Sequence, residues 1–263
     1  MSDLGLAVII EDDADMRNLL EAVLLQSGFE VCSAAHGRAG VELVRRQNPN
    51  VVTVDVGLPD IDGFEVLRRI RDFSDAYVVM LTGRHEEGDV LTAFHGGADD
   101  YITKPFRPRE LRARLMAVMR RPRYASSSMA LPVPDPMPSS PGEVYDELVI
   151  RHNGLELNHK TRTVMVRGSA ISLTRSEFTL LHELLRVAGR VCSRTRLVRV
   201  LHTEYSRYGM YISQVDERAV EAHIGNLRRK LSDNQQYPRW VETVRGVGYR
   251  LAPVKAHPQN GAT

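Results

Sequence analysis

Over the first 120 residues the apolar positions follow two alternating periods. Short β-branched runs at about 6–11, 29–33, 50–55, 76–82 and 99–103 are separated by helical patterns at about 14–26, 37–47, 63–72, 86–96 and 107–120. Several of the runs, such as Val51-Val52-Thr53-Val54, are almost continuously apolar, the signature of strands covered on both faces. Regular β–α alternation with short connections predicts a doubly wound α/β domain, a parallel sheet with helices on both sides. In the first helix Met16, Leu19, Leu20, Val23 and Leu24 fall on one stripe, which assigns them to the core. Asp13, just before it, reads as a helix cap.

The last 110 residues read differently. A short strand pattern, Thr163-Val164-Met165-Val166-Arg167, precedes Thr174 and Glu177, whose spacing forms a capping box. The helix it opens turns Phe178, Leu181, Leu184 and Leu185 to one side, and a second helix starts after Ser193. A third, at about 216–231, carries Val220, Ile224, Leu227 and Leu231 on its core stripe. Trp240–Val244 and Gly248–Leu251 pair as a final hairpin, with Tyr249 in the core and Arg245 at the tip. This half is therefore α+β.

Charge divides along the same line. Residues 1–120 hold 14 Lys/Arg against 20 Asp/Glu, a net −6, whereas residues 151–255 hold 19 against 9, a net +10. Such asymmetry points to a nucleic-acid-binding part joined to a part with another task. Between them, residues 121–142 are rich in proline and serine and lack helical periodicity, a semi-extended linker. The expected division is 1–120, linker 121–142, 143–253, and a frayed tail 254–263. Cys32 and Cys192 stand far apart without metal-ligand spacing and read as buried, reduced thiols. The start has no positively charged leader, and the apolar run at 6–10 is too short for a membrane span, so a cytoplasmic location is expected.

Chemistry collects at the strand ends. Asp55 closes the third strand before the turn Gly57-Leu58-Pro59-Asp60-Ile61-Asp62-Gly63; Glu11-Asp12 follow the first, Thr82 the fourth, and Lys104-Pro105-Phe106 the fifth. Ligand sites of open α/β sheets lie outside the carboxyl ends of their strands. Any one of these residues alone is an ordinary turn or surface residue; their joint occurrence carries the signal. With Tyr101 they make residues 1–120 resemble the CheY-like receiver domain of response regulators.

The resemblance implies a flavodoxin-like five-stranded sheet of order 2-1-3-4-5 with Asp55 as phosphoacceptor. It further implies Mg2+ held by Glu11, Asp12, Asp55 and the Gly57 carbonyl, Thr82 and Lys104 around the phosphoryl group, and a Thr82/Tyr101 switch. Hard oxygen donors suit that ion. Phosphorylation by a sensor histidine kinase would favour a homodimer, with Asp99, Asp100, Glu110 and Arg114 as candidate interface charges. Thr92 stands where relatives carry a basic residue, which weakens that dimer face, and Gly57 places no side chain beside the phosphoryl site.

Residues 145–252 are similar to the winged helix-turn-helix effector of the OmpR/PhoB family. Leu173–Leu181, Val220–Leu231 and Val244–Leu251 carry the match. The implied partner is double-stranded DNA with tandem half-sites. The expected contacts are Asn226 to a base, Arg228, Arg229 and Lys230 to phosphates, Arg218 and His223 nearby, and Arg245 in the minor groove. Gly225 lets the helix backbone approach the groove. Residues 202–214 form a long, tyrosine-rich loop, a candidate RNA polymerase contact. The whole reads as a phosphorylation-dependent transcriptional regulator rather than an enzyme. Two alternatives compete: a phosphoryl sink whose basic domain serves another partner, and a DNA-binding protein whose receiver only dimerises. The wing and third-helix motifs argue against the first, the intact acidic set against the second.

Overall fold

The protein is described here as a computed structural model covering residues 4–83, 87–119, 149–202 and 212–254. The expected linker, the tail from 255 and most of the loop 202–214 lie outside these residues.

Five strands, β1 (Leu6–Ile10), β2 (Glu30–Ala34), β3 (Val51–Asp55), β4 (Tyr77–Thr82) and β5 (Asp100–Thr103), form one parallel sheet of order β2-β1-β3-β4-β5. All residues of β3 and β4 are buried, which explains their continuous apolar runs. Helices α1 (Ala14–Gln26) and α5 (Pro108–Met119) contribute to the core on one face of the sheet; α2 (Gly37–Gln47), α3 (Gly63–Arg71) and α4 (Glu87–His95) contribute to the other. Asp13 caps α1 as expected, its Oδ1 accepting from Met16 N at 2.7 Å. Leu20, Val23 and Leu24 of α1 are buried, but Leu19 is 38% exposed. It lies at the margin of the stripe, where the helix turns toward solvent.

The second half begins with an antiparallel sheet, β6 (Val149–His152), β7 (Leu155–Asn158), β8 (Thr163–Val166) and β9 (Ser169–Ile171). Helix α6 (Arg175–Arg186) opens on the Thr174/Glu177 capping box, and α7 (Arg194–Leu201) starts from Ser193. Helix α8 (Gln214–Leu231) is the long third helix. The hairpin β11 (Val241–Val244) and β12 (Gly248–Leu251) is joined by β10 (Cys192–Ser193). Leu181, Leu184, Ile224, Leu227, Trp240 and Tyr249 share one core. Cys192 lies fully inside it, whereas Cys32 on β2 is only partly buried.

The two halves touch chiefly through α8, with Ser176 of α6 and His202 also meeting the first half. The Val220/Ile224/Leu227/Leu231 stripe of α8 faces its own domain, while Ala219 and Ala222 join the buried cluster of Val90, Phe94 and Tyr101 beside the parallel sheet.

Candidate functional site

The ends of β1, β3, β4 and β5 bring the expected residues together. Carboxylate oxygens of Glu11, Asp12 and Asp55 lie within 4.8 Å of one another, with Glu11 and Asp55 buried and Asp12 exposed. Lys104 reaches into this group: its Nζ donates to Glu11 Oε2 at 2.7 Å and Oε1 at 2.9 Å, and lies 2.9 Å from Asp55 Oδ1. Burial holds the Glu11 carboxyl above its usual range, against the Lys104 hydrogen bond, and repulsion from Asp55 and Asp12 adds to it. For Lys104, burial opposes the ammonium, but its bonds to Glu11 and Asp55 prevail and its pKa is raised.

Local packing fixes the strand ends. A side chain at Gly63 would collide with the Asp55 carbonyl and Val56, so α3 begins directly against the end of β3. Asp60 accepts from Gly37 N (2.7 Å) and Arg38 N (3.0 Å), bolting the turn after Asp55 to the start of α2, whose own cap position, His36, makes no side-chain cap. Arg17 donates to the carbonyls of Glu11 (2.8 Å) and Asp12 (3.1 Å). Asp60 and Arg17 were missed in the sequence; for Asp60 the signal was an aspartate in a turn, a residue that habitually bonds backbone amides. Asp55, Gly57, Leu58, Phe64, Thr82 and Lys104 are among the residues lining a groove of about 630 Å3. Gly57 leaves it open: a Cβ there would meet only Asp55 Oδ2, at 3.6 Å, among the described residues. The Thr82 and Tyr101 hydroxyls are hydrogen-bonded, and burial raises the Tyr101 phenol.

Residues 7–116 match the response regulator receiver domain, and residues 168–251 match the C-terminal domain of transcriptional regulatory proteins. The transcriptional regulatory protein AfsQ1 of Streptomyces coelicolor is 38% identical over 246 residues, 94% of this chain and 97% of the relative. The chain belongs to the OmpR/PhoB-type response regulators. The probable transcriptional regulator ycf27 of Porphyridium aerugineum is 35% identical over 92% of this chain and 93% of its own. The structure of a RitR mutant matches at a TM-score of 0.67 with 20% identity, covering 94% of this chain and 99% of that one, a likeness of fold.

As in that family, a receiver and a DNA-binding winged-helix domain share one chain, and α8 is the helix the sequence assigns to the major groove. In the closed arrangement much of its expected DNA face is covered. Asn226 is buried and its Nδ2 donates to Phe94 O of α4 at 2.8 Å, while Oδ1 accepts from Arg229 at 3.0 Å. His223 is buried edge-on to the Phe94 ring, 5.5 Å between centroids. The sequence placed Asn226 opposite the core stripe, which is correct; what covers that face was not legible.

Other expected contacts are engaged inside the domain. Arg228, half-buried, donates to Val241 O (2.8 and 3.3 Å) and Thr243 Oγ1 (2.8 Å), bracing the wing. Lys230 pairs with the buried Glu177 at 2.7 Å. Exposed on α8 are Gln214, Val215, Glu221, Gly225 and Arg229, with Arg218 partly so. Among the described residues nothing lies within 4 Å of the space a Gly225 Cβ would occupy, so the helix backbone is open there. Arg245 is exposed at the hairpin tip before Gly246, whose φ of 75° suits glycine.

The expected interface charges are likewise paired within the chain. Asp99 meets Arg71 at 2.6 Å; Arg114 meets Asp100 at 2.9 Å and Glu110 at 3.3 Å. Asp99 and Asp100 are buried, Asp99 against α6 and Asp100 near His202 at 4.0 Å. Asp99 and Asp100 of the face assigned to a second copy thus lie against the chain's own DNA-binding domain. Among the described residues no helix is long and apolar enough to cross a membrane.

Proposed function

We propose that this response regulator takes a phosphoryl group on Asp55 from a histidine kinase and then binds DNA in a sequence-specific manner to control transcription. The convergence of Glu11, Asp12 and Asp55 around the Lys104 ammonium carries the reading. An exposed carboxylate, two buried ones and an open groove make a hard-oxygen donor set that fits Mg2+. Glu11, Asp12 and Asp55, with the Gly57 carbonyl, would hold it. The bound ion offsets charge as one anion approaches another. Asp55 supplies the nucleophilic oxygen, Lys104 steadies the added charge, and the Thr82 hydroxyl, already bonded to Tyr101, is placed to turn toward it.

The division into a receiver (1–120), linker (121–142), DNA-binding domain (143–253) and tail (254–263) belongs to the same reading. So do a cytoplasmic location, dimerisation of the phosphorylated form on tandem half-sites, and an RNA polymerase contact through loop 202–214. Asn226, Arg229, Arg218 and Arg245 form the DNA surface once α8 is free, with Arg245 directed to the minor groove.

The test is direct. Purified chain treated with acetyl phosphate and Mg2+ should gain one phosphoryl group, mapped to Asp55 by mass spectrometry, and Asp55→Asn should gain none. Label on another residue sinks the assignment.

A further inference from the structure

Where β1 ends, two acidic residues leave the sheet in succession, and the backbone that carries them is held at both sides. The Glu11 N–H donates to Ala34 O of β2 at 3.1 Å. Beyond the pair, Asp13 Oδ1 caps α1 by accepting from Met16 N at 2.7 Å. The carbonyls of Glu11 and Asp12 lie between these fixed points, and among the described residues neither accepts from a backbone amide. Arg17 supplies what the backbone does not. Its own N–H is anchored in the first turn of α1, donating to Asp13 O at 2.9 Å. From that base a single nitrogen, Nη1, donates to Glu11 O at 2.8 Å and to Asp12 O at 3.1 Å.

The two carboxylates depend on this grip unequally. Glu11 is buried, and Lys104 Nζ bonds both of its oxygens, at 2.9 and 2.7 Å, so its side chain is placed independently of Arg17. Asp12 is exposed, and its carboxylate lies within 4.8 Å of those of Glu11 and Asp55. Like charges so close repel, and rotation toward water would relieve them. The direction of Asp12 is therefore set by the backbone that Arg17 clamps.

We propose that Arg17 is a positioning residue for the metal: by gripping both carbonyls it keeps the Asp12 carboxylate beside those of Glu11 and Asp55, and so sets how tightly the chain holds Mg2+. This role rests on the reading of the acidic cluster as the Mg2+ site given above. Mg2+ demands near-ideal geometry from its ligands. Loss of a group that orients metal ligands weakens affinity by about 10–100-fold. The charge of the guanidinium works in the opposite sense, since a cation beside the site repels Mg2+ and its removal would tighten binding. Positioning and charge thus predict changes of opposite sign.

The test is isothermal titration of the full, unphosphorylated chain with Mg2+, for wild type, Arg17→Ala and Arg17→Lys. The lysine keeps the charge, but its chain ends one bond short of Nη1 and gives up the two-carbonyl grip. Both variants should bind Mg2+ about tenfold or more weakly than wild type. In acetyl phosphate reactions the Mg2+ concentration for half-maximal rate should rise by the same factor, while the rate at saturating Mg2+ stays within about twofold of wild type. If Arg17→Ala fails to fold, Arg17→Lys decides alone. Tighter binding by Arg17→Ala with unchanged binding by Arg17→Lys would make Arg17 a charge only and overturns the proposal. A rate that falls as far at saturating Mg2+ as at low Mg2+ would make it a prop of the fold, which overturns the proposal as well. Variants that bind Mg2+ as well as wild type overturn the role of Arg17 alone; a wild-type chain that binds no Mg2+ overturns the metal-site reading and the role of Arg17 with it.

Discussion

The Lys104 ammonium stands 2.9 Å from Asp55 Oδ1 and 2.7 Å from Glu11 Oε2, a cation set between two buried carboxylates. It lowers the cost of holding three acids in one groove and, on the function proposed above, would meet the charge that a phosphoryl group brings. Lys104→Met should therefore slow phosphoryl uptake from acetyl phosphate on the order of a hundredfold, the usual loss for one charge-stabilising donor. Initial rates on Phos-tag gels decide it; an unchanged rate would mean that Lys104 serves only the resting structure.

Acidity should act on the site in two opposite ways. Glu11 has a folded pKa above its usual 4.5, so its protonated form favours the folded chain, and this carboxyl's unfavourable contribution fades as pH falls through the raised value. Metal ligation, by contrast, needs the carboxylate. The Mg2+ affinity of the chain should weaken as pH drops toward that raised pKa, earlier than an ordinary glutamate near 4.5 would give. An affinity that is flat down to the ordinary glutamate range, and that Glu11→Gln leaves unchanged, would remove Glu11 from the ligand set.

The seam between the domains should loosen in acid. Burial holds the His223 imidazole below its usual 6.5 despite the nearby Asp99 and Glu177, with His202 adding to the depression. Burial does the same at His202, against Asp100 and Asp216, with Arg114 adding to it. A histidine depressed in the closed form leaves closure unaffected above its ordinary pKa, where it is neutral in both forms, and opposes closure as pH falls below about 6.5. The radius of gyration from small-angle scattering should increase between about pH 7.5 and 5.5. A constant radius, with both domains still folded, would show that neither histidine titrates on opening.

Arg228 offers a test of structure against contact. It ties α8 to β11 through Val241 O and Thr243 Oγ1, and its guanidinium sits 5.8 Å from the Tyr249 ring. Arg228→Ala should cost the DNA-binding domain about 1–3 kcal/mol. Trp240, the one tryptophan of the sequence, precedes β11 and reports urea unfolding of that domain. Unaltered stability with weaker DNA binding would return Arg228 to the phosphate contacts that the sequence assigned it.

Much of this molecule is local enough to read from residues in order. The parallel sheet follows from runs such as Val51–Asp55 and Tyr77–Thr82, whose every residue is buried. Glu11, Asp12, Asp55, Thr82 and Lys104 meet because parallel strands place their carboxyl ends side by side. Two-residue β10 was not legible, since its pairing with β12 depends on Gly248 lying against Cys192 from far along the chain. Nor was the seam. An asparagine opposite a core stripe looks the same whether it awaits a base edge or the Phe94 carbonyl, because periodicity reports which face is free of its own core and not what covers it. Arginine destinations fail for a related reason: the long side chain of Arg228 reaches a strand 13 residues away that helical spacing does not place.

Binding of a mixed-sequence library and of its selected duplexes, by one preparation with and without acetyl phosphate and Mg2+, addresses the central claim most directly. Phosphorylated wild type should select a defined pair of half-sites and bind them at least about tenfold more tightly than the untreated chain, a difference of about 1.4 kcal/mol. Asp55→Asn should show no response to the donor. Equal affinity with and without the donor in a sample shown to be phosphorylated on Asp55, or an equal response by Asp55→Asn, would contradict control of DNA binding from this site.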